Sequence, residues 1–208
     1  MWVCGNGATA TLARRAQLPS TTIKLMDIDF AHTLCAPLES PRLRLEPLSH
    51  THAEAAFEPL QNDALYQWIS MNKPQSVATL REDWRRLATR MSPDGTRAWP
   101  NWAVLCRESG ALIGEVDAEV NADRVAVNFG YYFFADYWRR GFATEAVQLS
   151  ADHLLAHGVQ RLVATVTVGN IASARVLEKA QFTFSRILAD NDTVRGALVD
   201  DAEYVRVK

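Results

Sequence analysis

Tyr131-Tyr132-Phe133-Phe134-Ala135-Asp136-Tyr137-Trp138-Arg139-Arg140-Gly141-Phe142-Ala143-Thr144-Glu145-Ala146 reads as an apolar strand that passes through a short basic turn into a helix. A strand that ends in Arg139-Arg140-Gly141 and enters a helix at once aims the first free amides of that helix at one small volume. Unpaired N–H groups, the positive end of the helix dipole and two guanidinium groups all carry the same sign there, so the volume suits a phosphate. Gly141 lacks a Cβ and lets a polyanion approach the backbone closely. The helix that follows carries Phe142, Ala146, Leu149, His153 and Leu154 at helical spacing, and Gly158 after His157 is a fitting stop.

Working outward, Trp102 to Cys106, Ala111 to Val120 and Val125 to Phe134 read as short strands, with Glu108-Ser109-Gly110 and Asn121-Ala122-Asp123 as turns between them. That spacing predicts an antiparallel meander. Arg161 to Val168 is a Val-rich strand that follows the helix directly. It therefore lies parallel to the Val125–Phe134 strand through a right-handed crossover. Asn170 opens a second helix with Ile171, Ala174 and Leu177, and Phe182-Thr183-Phe184 and Tyr204-Val205-Arg206-Val207 complete the sheet.

Upstream, Pro41-Arg42-Leu43-Arg44-Leu45-Glu46-Pro47-Leu48 alternates apolar and charged residues as a half-buried strand does. Short helices are expected around His50 to Phe57 and from Asn62 to Trp68, interrupted at Pro59. His50 and His52 invite a metal, but two histidines at a helix start without a third ligand fit a solvated turn better. Ser76 to Arg90 places Val77, Leu80, Trp84, Leu87 and Met91 on one face, an amphipathic helix whose arginines form a solvated face or a patch for an acidic partner. Residues 1–38 show no sustained period and read as a mobile extension, weakly like an organelle-targeting peptide or a tail from upstream initiation. Order is expected from Pro41, with residues 39–208 as a single domain.

Composition narrows the function. The chain has 208 residues, 48% hydrophobic and 22% charged, with formal net charge −2. That balance is ordinary for a globular protein and argues against a chain that mainly holds nucleic acid. No stretch approaches the roughly 20 apolar residues of a membrane span. Cys4, Cys35 and Cys106 are odd in number and far apart, which points to a reducing, cytoplasmic setting without disulfides or a metal knuckle. The dinucleotide fingerprint, the P-loop, the His-Glu-x-x-His pair and the Gly-x-Ser-x-Gly elbow are all absent. From the turn alone, a phosphate cradle competes with a plain helix start bearing two exposed arginines.

The second helix decides between them. Asn170-Ile171-Ala172-Ser173-Ala174-Arg175-Val176-Leu177-Glu178-Lys179-Ala180-Gln181-Phe182, taken with Trp138 to Ala146 at this separation, resembles the GNAT superfamily of acyl-CoA N-acyltransferases. Within it the chain is similar to the ribosomal-protein N-terminal acetyltransferase (RimJ/RimL-like) branch, over about residues 40–208. The resemblance implies a mixed α/β fold with a mostly antiparallel sheet, one parallel pair splayed for CoA and helices on both faces. It implies acetyl-CoA as co-substrate without a metal. Its pantetheine arm would pair with the backbone of Tyr131, Tyr132 and Phe133, and its pyrophosphate would sit on Arg139, Arg140, Gly141, Phe142, Ala143 and Thr144. Asn170 would bond the pantetheine region as well as cap its helix, and Ser173 would donate to the leaving thiolate.

This chain departs from the wider family at three places. Trp138 stands where many relatives carry Gln or Arg, Leu177 stands where others carry a tyrosine acid, and Gln181 replaces the usual glycine before Phe182. A general base is still required, because an amine is mostly ammonium at neutral pH. Relatives often use a Glu at the position of Asn128, which cannot serve. Glu115, Asp117 and Glu119 alternate on one strand and share a face. Glu115 or Asp117 is the candidate base if that face lines the cleft, and a solvated carboxylate row is the competing reading. Glu145 is better explained by the helix dipole.

The expected activity is N-acetylation of a primary amine, a protein N-terminus or a small amine, by direct attack in a ternary complex. The rival is a non-catalytic acyl-CoA-binding module acting through a protein partner. Acceptor recognition would fall to His50–Met91, and the protein would be a monomer or homodimer.

Overall fold

The structure is a computed structural model that describes residues 24–208. Cys4 and most of the targeting-like stretch lie outside the described residues. Between Lys24 and Leu38, where a mobile extension is expected, the chain instead forms helix α1 (Ile28–Leu34). Asp27 caps it, its carboxylate accepting from the amides of Asp29 and Phe30. Ala31 and Leu34, three residues apart, are fully buried against the sheet. The helix has only two turns, too short for its period to stand out in the sequence.

Strands β1 (Leu38–Glu39) and β2 (Leu43–Pro47) follow. His52 then closes the Ser49–His52 turn through Nδ1, which accepts from the Ser49 amide at 3.1 Å, while Nε2 meets Glu46 at 3.2 Å. A 3-10 turn at His50–His52 leads into α2 (Ala53–Phe57), two further 3-10 turns (Pro59–Gln61 and Asp63–Gln67) and α3 (Val77–Leu87). On α3, Arg81, Arg85 and Arg86 pair with Glu54, Glu82 and Asp83, which makes this face a lattice of exposed ion pairs.

The meander comprises β4 (Asn101–Cys106), β5 (Leu112–Asn121) and β6 (Val125–Phe133), preceded by the two-residue β3 (Arg97–Ala98). Then come α4 (Phe142–Ala156), β7 (Arg161–Thr167), α5 (Ile171–Lys179), β8 (Thr183–Val194) and β9 (Ala197–Val207). β8 and β9 are far longer than their apolar ends predict. Nearly all of β8 is exposed, so it carries no alternation to read.

The strands form one nine-stranded sheet in the order β1-β2-β4-β5-β6-β7-β9-β8, with β3 beside β5. Helices α1, α4 and α5 cover one face, where Leu43, Trp102, Val116, Phe129 and Leu162 pack beneath Ala146, Leu154 and Leu177. Helices α2 and α3 cover part of the other, where Ala103 and Phe134 meet Ala53, Leu80 and Trp84. All pairings are antiparallel except β6 with β7. Among the described residues no helix is long and apolar enough to cross a membrane.

Candidate active site

The parallel pair sets the site. β6 and β7 are in register only at Val125 with Arg161 and Ala126 with Leu162. Beyond that point β6 continues seven residues to Phe133 against β5, and β7 continues to Thr167 against β9, without pairing to each other. An extra residue at Val127 shifts the β5–β6 register, where Glu119 faces Asn128 and Val120 faces Ala126. Such a bulge bends the strand and turns it away from its neighbour. The result is a V whose β6 side is a strand edge unpaired among the described residues.

Alternation along the strand decides which residues face that edge. The Phe134 amide donates to Ile113 on β5, so Tyr132 also directs its N–H and C=O toward β5. Tyr131 and Phe133 direct theirs into the V. Of the three residues expected to pair with a pantetheine arm, Tyr132 therefore does not face the V. Its backbone is committed to β5, and its side chain goes to the opposite face. The Phe133 carbonyl already accepts from Trp138 Nε1, which fixes the indole across the end of the strand.

At the mouth of the V the turn from Trp138 to Phe142 has the geometry of an anion cradle. Arg139 has φ 60° and Gly141 φ 78°, on either side of a residue in the ordinary region. Such alternation turns successive amides toward one point. The amides of Arg139 through Thr144 have no hydrogen-bond partner among the described residues, and the first of the α4 ladder is Glu145 N–H to Gly141 at 3.2 Å. The Arg140 guanidinium lies 4.9 Å from the Phe142 ring centroid and Arg42 lies 4.8 Å from it. Arg140 is thus partly engaged by aromatic rings, and the exposed Arg139 is the freer of the two.

Glu145 does structural work here. It accepts from Ser40 Oγ at 2.6 Å and from the Arg42 amide at 3.1 Å, and it pairs with the Arg42 guanidinium. Burial opposes its ionisation, but the bonds from Ser40 and Arg42 outweigh that and hold its carboxyl below the usual range. It ties the turn before β2 to the start of α4.

Across the V, Asn170 caps α5, its Oδ1 accepting from the Ser173 amide at 3.2 Å. The Tyr131 hydroxyl reaches over from β6 to Ser173, 2.7 Å from Oγ and 3.1 Å from the carbonyl oxygen. Burial pushes the Tyr131 phenol above its ordinary value, so it stays protonated. Leu177, one turn beyond Ser173, is fully buried in the core.

The carboxylates lie on the opposite face of the sheet. Glu115 is 7% exposed and accepts from Tyr132 Oη at 2.6 Å. Burial first and the neighbouring Asp117 second raise its carboxyl to about 8, against the bond from Tyr132. Asp117 is only partly buried, and burial together with the charge of Glu119 raises it to about 6. Asp117 pairs with Gly130 on β6, where a Cβ would sit 2.7 Å from Asp117 Oδ1. The glycine is what lets the carboxylate lie over the β6 backbone. Glu119 is taken by Arg97 and by Trp99 Nε1. Asn128 is exposed at the bulge.

Above this face the chain between α2 and α3 reaches across to the second lip of the V. The Trp68 carbonyl accepts from Thr167 Oγ1 at 3.3 Å, and the Trp68 ring lies about 3.5 Å from where a Cβ on Gly169 would stand. Tyr131's side-chain bridge, the Asp117–Gly130 contact and this Trp68 strap escape sequence reading. Each joins residues that lie far apart in the chain. Among the described residues no group of three or more His, Cys, Asp or Glu could hold a metal ion.

Known proteins share this fold. Residues 42–183 match the family described as the acetyltransferase (GNAT) domain. An uncharacterised N-acetyltransferase, YoaA of Bacillus subtilis (strain 168), is 26% identical over 173 residues, 82% of this chain and 96% of that protein. In fold, the chain is similar to RimL, a ribosomal L7/L12 alpha-N-protein acetyltransferase solved with coenzyme A. The TM-score is 0.74 at 18% identity, covering 83% of this chain and 98% of that one. It is also similar to Mycobacterium smegmatis RimJ solved with CoA-disulfide, with TM-score 0.72 and 23% identity over 83% of this chain and 86% of that one.

Proposed function

The chain belongs to the acetyltransferase (GNAT) domain family, and from that premise we propose that it transfers an acetyl group from acetyl-CoA to a primary amine, by direct attack in a ternary complex. The observation that carries this is the V between β6 and β7, which opens beside six consecutive amides without a partner among the described residues. The unpaired edge at Tyr131 and Phe133 suits the amide groups of a pantetheine arm as an added strand. The cradle from Arg139 to Thr144 suits a pyrophosphate. Residues present and ligand chemistry therefore fit, and the bound co-substrate supplies the activated acyl group.

The remaining roles belong to this chain's side chains. Asp117, ionised near neutral pH and reachable, takes the proton the amine must lose. Glu115, held mostly protonated beside Tyr132, fills the floor without adding a second full charge. Backbone N–H groups on the β6 edge polarise the thioester carbonyl, and orientation supplies much of the rate. Ser173 supplies a hydrogen bond to the departing sulfur.

His50–Met91 would recognise the acceptor, since α2, α3 and the Trp68 strap roof the carboxylate face. The RimL and RimJ likeness in fold supports a protein N-terminus as acceptor over a free small amine. Residues 39–208, with α1 packed against them, would act as one domain. No observation favours the non-catalytic binding module, whose partner surface on α3 is internally ion-paired.

Calorimetric titration of acetyl-CoA tests the donor half. Binding by the parent protein and its loss in an Arg139→Glu, Gly141→Asp double variant are expected, and no binding by the parent would end the proposal. Thiol release with peptides bearing free N-termini, against a panel of small amines, then tests the acceptor.

A further inference from the structure

Ser173 needs help to be a useful donor. A serine in the first turns of a helix tends to return its hydroxyl proton to a carbonyl three or four residues earlier. Here its Oγ instead lies 2.7 Å from the Tyr131 hydroxyl, which also reaches the Ser173 carbonyl at 3.1 Å. Its amide is held by Asn170. Tyr131 thus offers one proton to two acceptors on the same residue, and two arrangements follow from the inventory of donors. In one, Tyr131 donates to the Ser173 carbonyl and Ser173 Oγ–H donates back to Tyr131. In the other, Tyr131 donates to Ser173 Oγ, and the serine proton is free to point at a third atom inside the V.

Resting on the acetyltransferase reading above, we propose that Tyr131 is the positioning residue for the leaving group: its hydroxyl turns from the Ser173 carbonyl to Ser173 Oγ and so releases the serine O–H to the departing sulfur. The amine nitrogen bonds to the acyl carbon, the C–S bond breaks and its electron pair stays on sulfur. The proton lost by the amine leaves on Asp117 and reaches the thiolate through solvent. Neither hydroxyl changes its proton count. This suits the chemistry, because a thiol is a stronger acid than a serine hydroxyl or than the Tyr131 phenol, which burial pushes up. Full transfer from either hydroxyl would run uphill, whereas two rotations are cheap. The bridge also brings a phenol from β6 to α5, one turn before the fully buried Leu177.

The test needs no acceptor. Binding of CoA and of desulfo-CoA, which lacks the sulfur, is measured by calorimetry at pH 7 and pH 9 for the parent, Tyr131→Phe, Ser173→Ala and the double variant. The parent is expected to favour CoA over desulfo-CoA by about tenfold at pH 9, the value of one hydrogen bond to a charged group, and by less at pH 7. Each single variant should lose most of that preference, and the double variant no more than either single one. Unchanged desulfo-CoA affinity in all four reports an intact cradle and fold. A Tyr131→Phe variant that keeps the parent's preference while Ser173→Ala loses it overturns the role of Tyr131 and leaves Ser173 standing. A parent without preference at pH 9 overturns both. If the parent binds neither ligand, the inference falls with the acetyltransferase reading.

Discussion

The turn from Arg139 to Thr144 and the carboxylate face of β5 are made in opposite ways. The first is backbone: six consecutive residues whose amides converge because Arg139 and Gly141 take left-handed conformations. The second is side chain: Glu115 and Asp117 from β5, Tyr132 and a bare Gly130 from β6, under helices some 30 to 60 residues upstream. A backbone device tolerates changes of side chain but not of conformation. A side-chain device tolerates neither a lost proton acceptor nor a shifted neighbour. That division predicts which kinetic constant each side controls.

The largest effect is expected from Asp117→Asn. It should lower kcat by about 10²–10⁴-fold, the usual worth of a positioned base, while the Kd for acetyl-CoA stays as in the parent. A matching loss of affinity would merge the two sides into one. Gly141→Val forces a β-branched residue to φ 78°, at a cost of about 1–3 kcal/mol. Acetyl-CoA Kd should therefore rise on the order of tenfold to a hundredfold by calorimetry, with kcat at saturation largely kept.

Gly130→Ala probes the carboxylate side by distance alone. Its Cβ would stand 2.7 Å from Asp117 Oδ1 and so force the carboxylate to move, and kcat should fall roughly tenfold without a change in CoA affinity.

The pH dependence follows from the same groups. Activity should decline as pH falls below about 6, where Asp117 takes up its proton. For stability the sign is the reverse of an ordinary ion-paired carboxylate. Glu115 and Asp117 titrate higher in the folded chain than in the unfolded one. They contribute fully below about pH 4, and that contribution is lost as pH rises through about 6 and about 8. Glu115→Gln should flatten the later part of that decline in thermal unfolding, a change on the order of 1–3 kcal/mol.

The smallest effect is expected at Gln181, which closes α5 at φ 67° where a glycine would be unstrained. Gln181→Gly should stabilise by up to about 1 kcal/mol, the relief of strain being partly offset by greater freedom when unfolded. It should leave kcat and Kd alone.

This contrast also explains what could be read in advance. The cradle is written in consecutive residues: an apolar strand, a basic glycine turn and a helical repeat. The Asn170–Phe182 stretch is equally local, and together they disclose the V. The alternation of Glu115, Asp117 and Glu119 put them on one face, but only the structure distinguishes Asp117 over Gly130 from Glu119 bound to Arg97. Those choices depend on cross-strand register, which no local period encodes. Helix α1 escapes sequence reading because two turns carry too few apolar positions, and β8 is legible only at its Thr183–Phe184 end because a strand exposed along nearly all its length has no pattern.

The brief contact of β6 and β7 has a consequence beyond chemistry. Any sheet interrupted from within offers a groove of unsatisfied amides and carbonyls to whatever extended polypeptide drifts past, including a half-made copy of the same chain. A newly synthesised molecule would then be most vulnerable to clumping before its small-molecule ligand arrives. Occupancy of the groove would act as a chaperone, tying soluble yield during expression to the cell's supply of coenzyme.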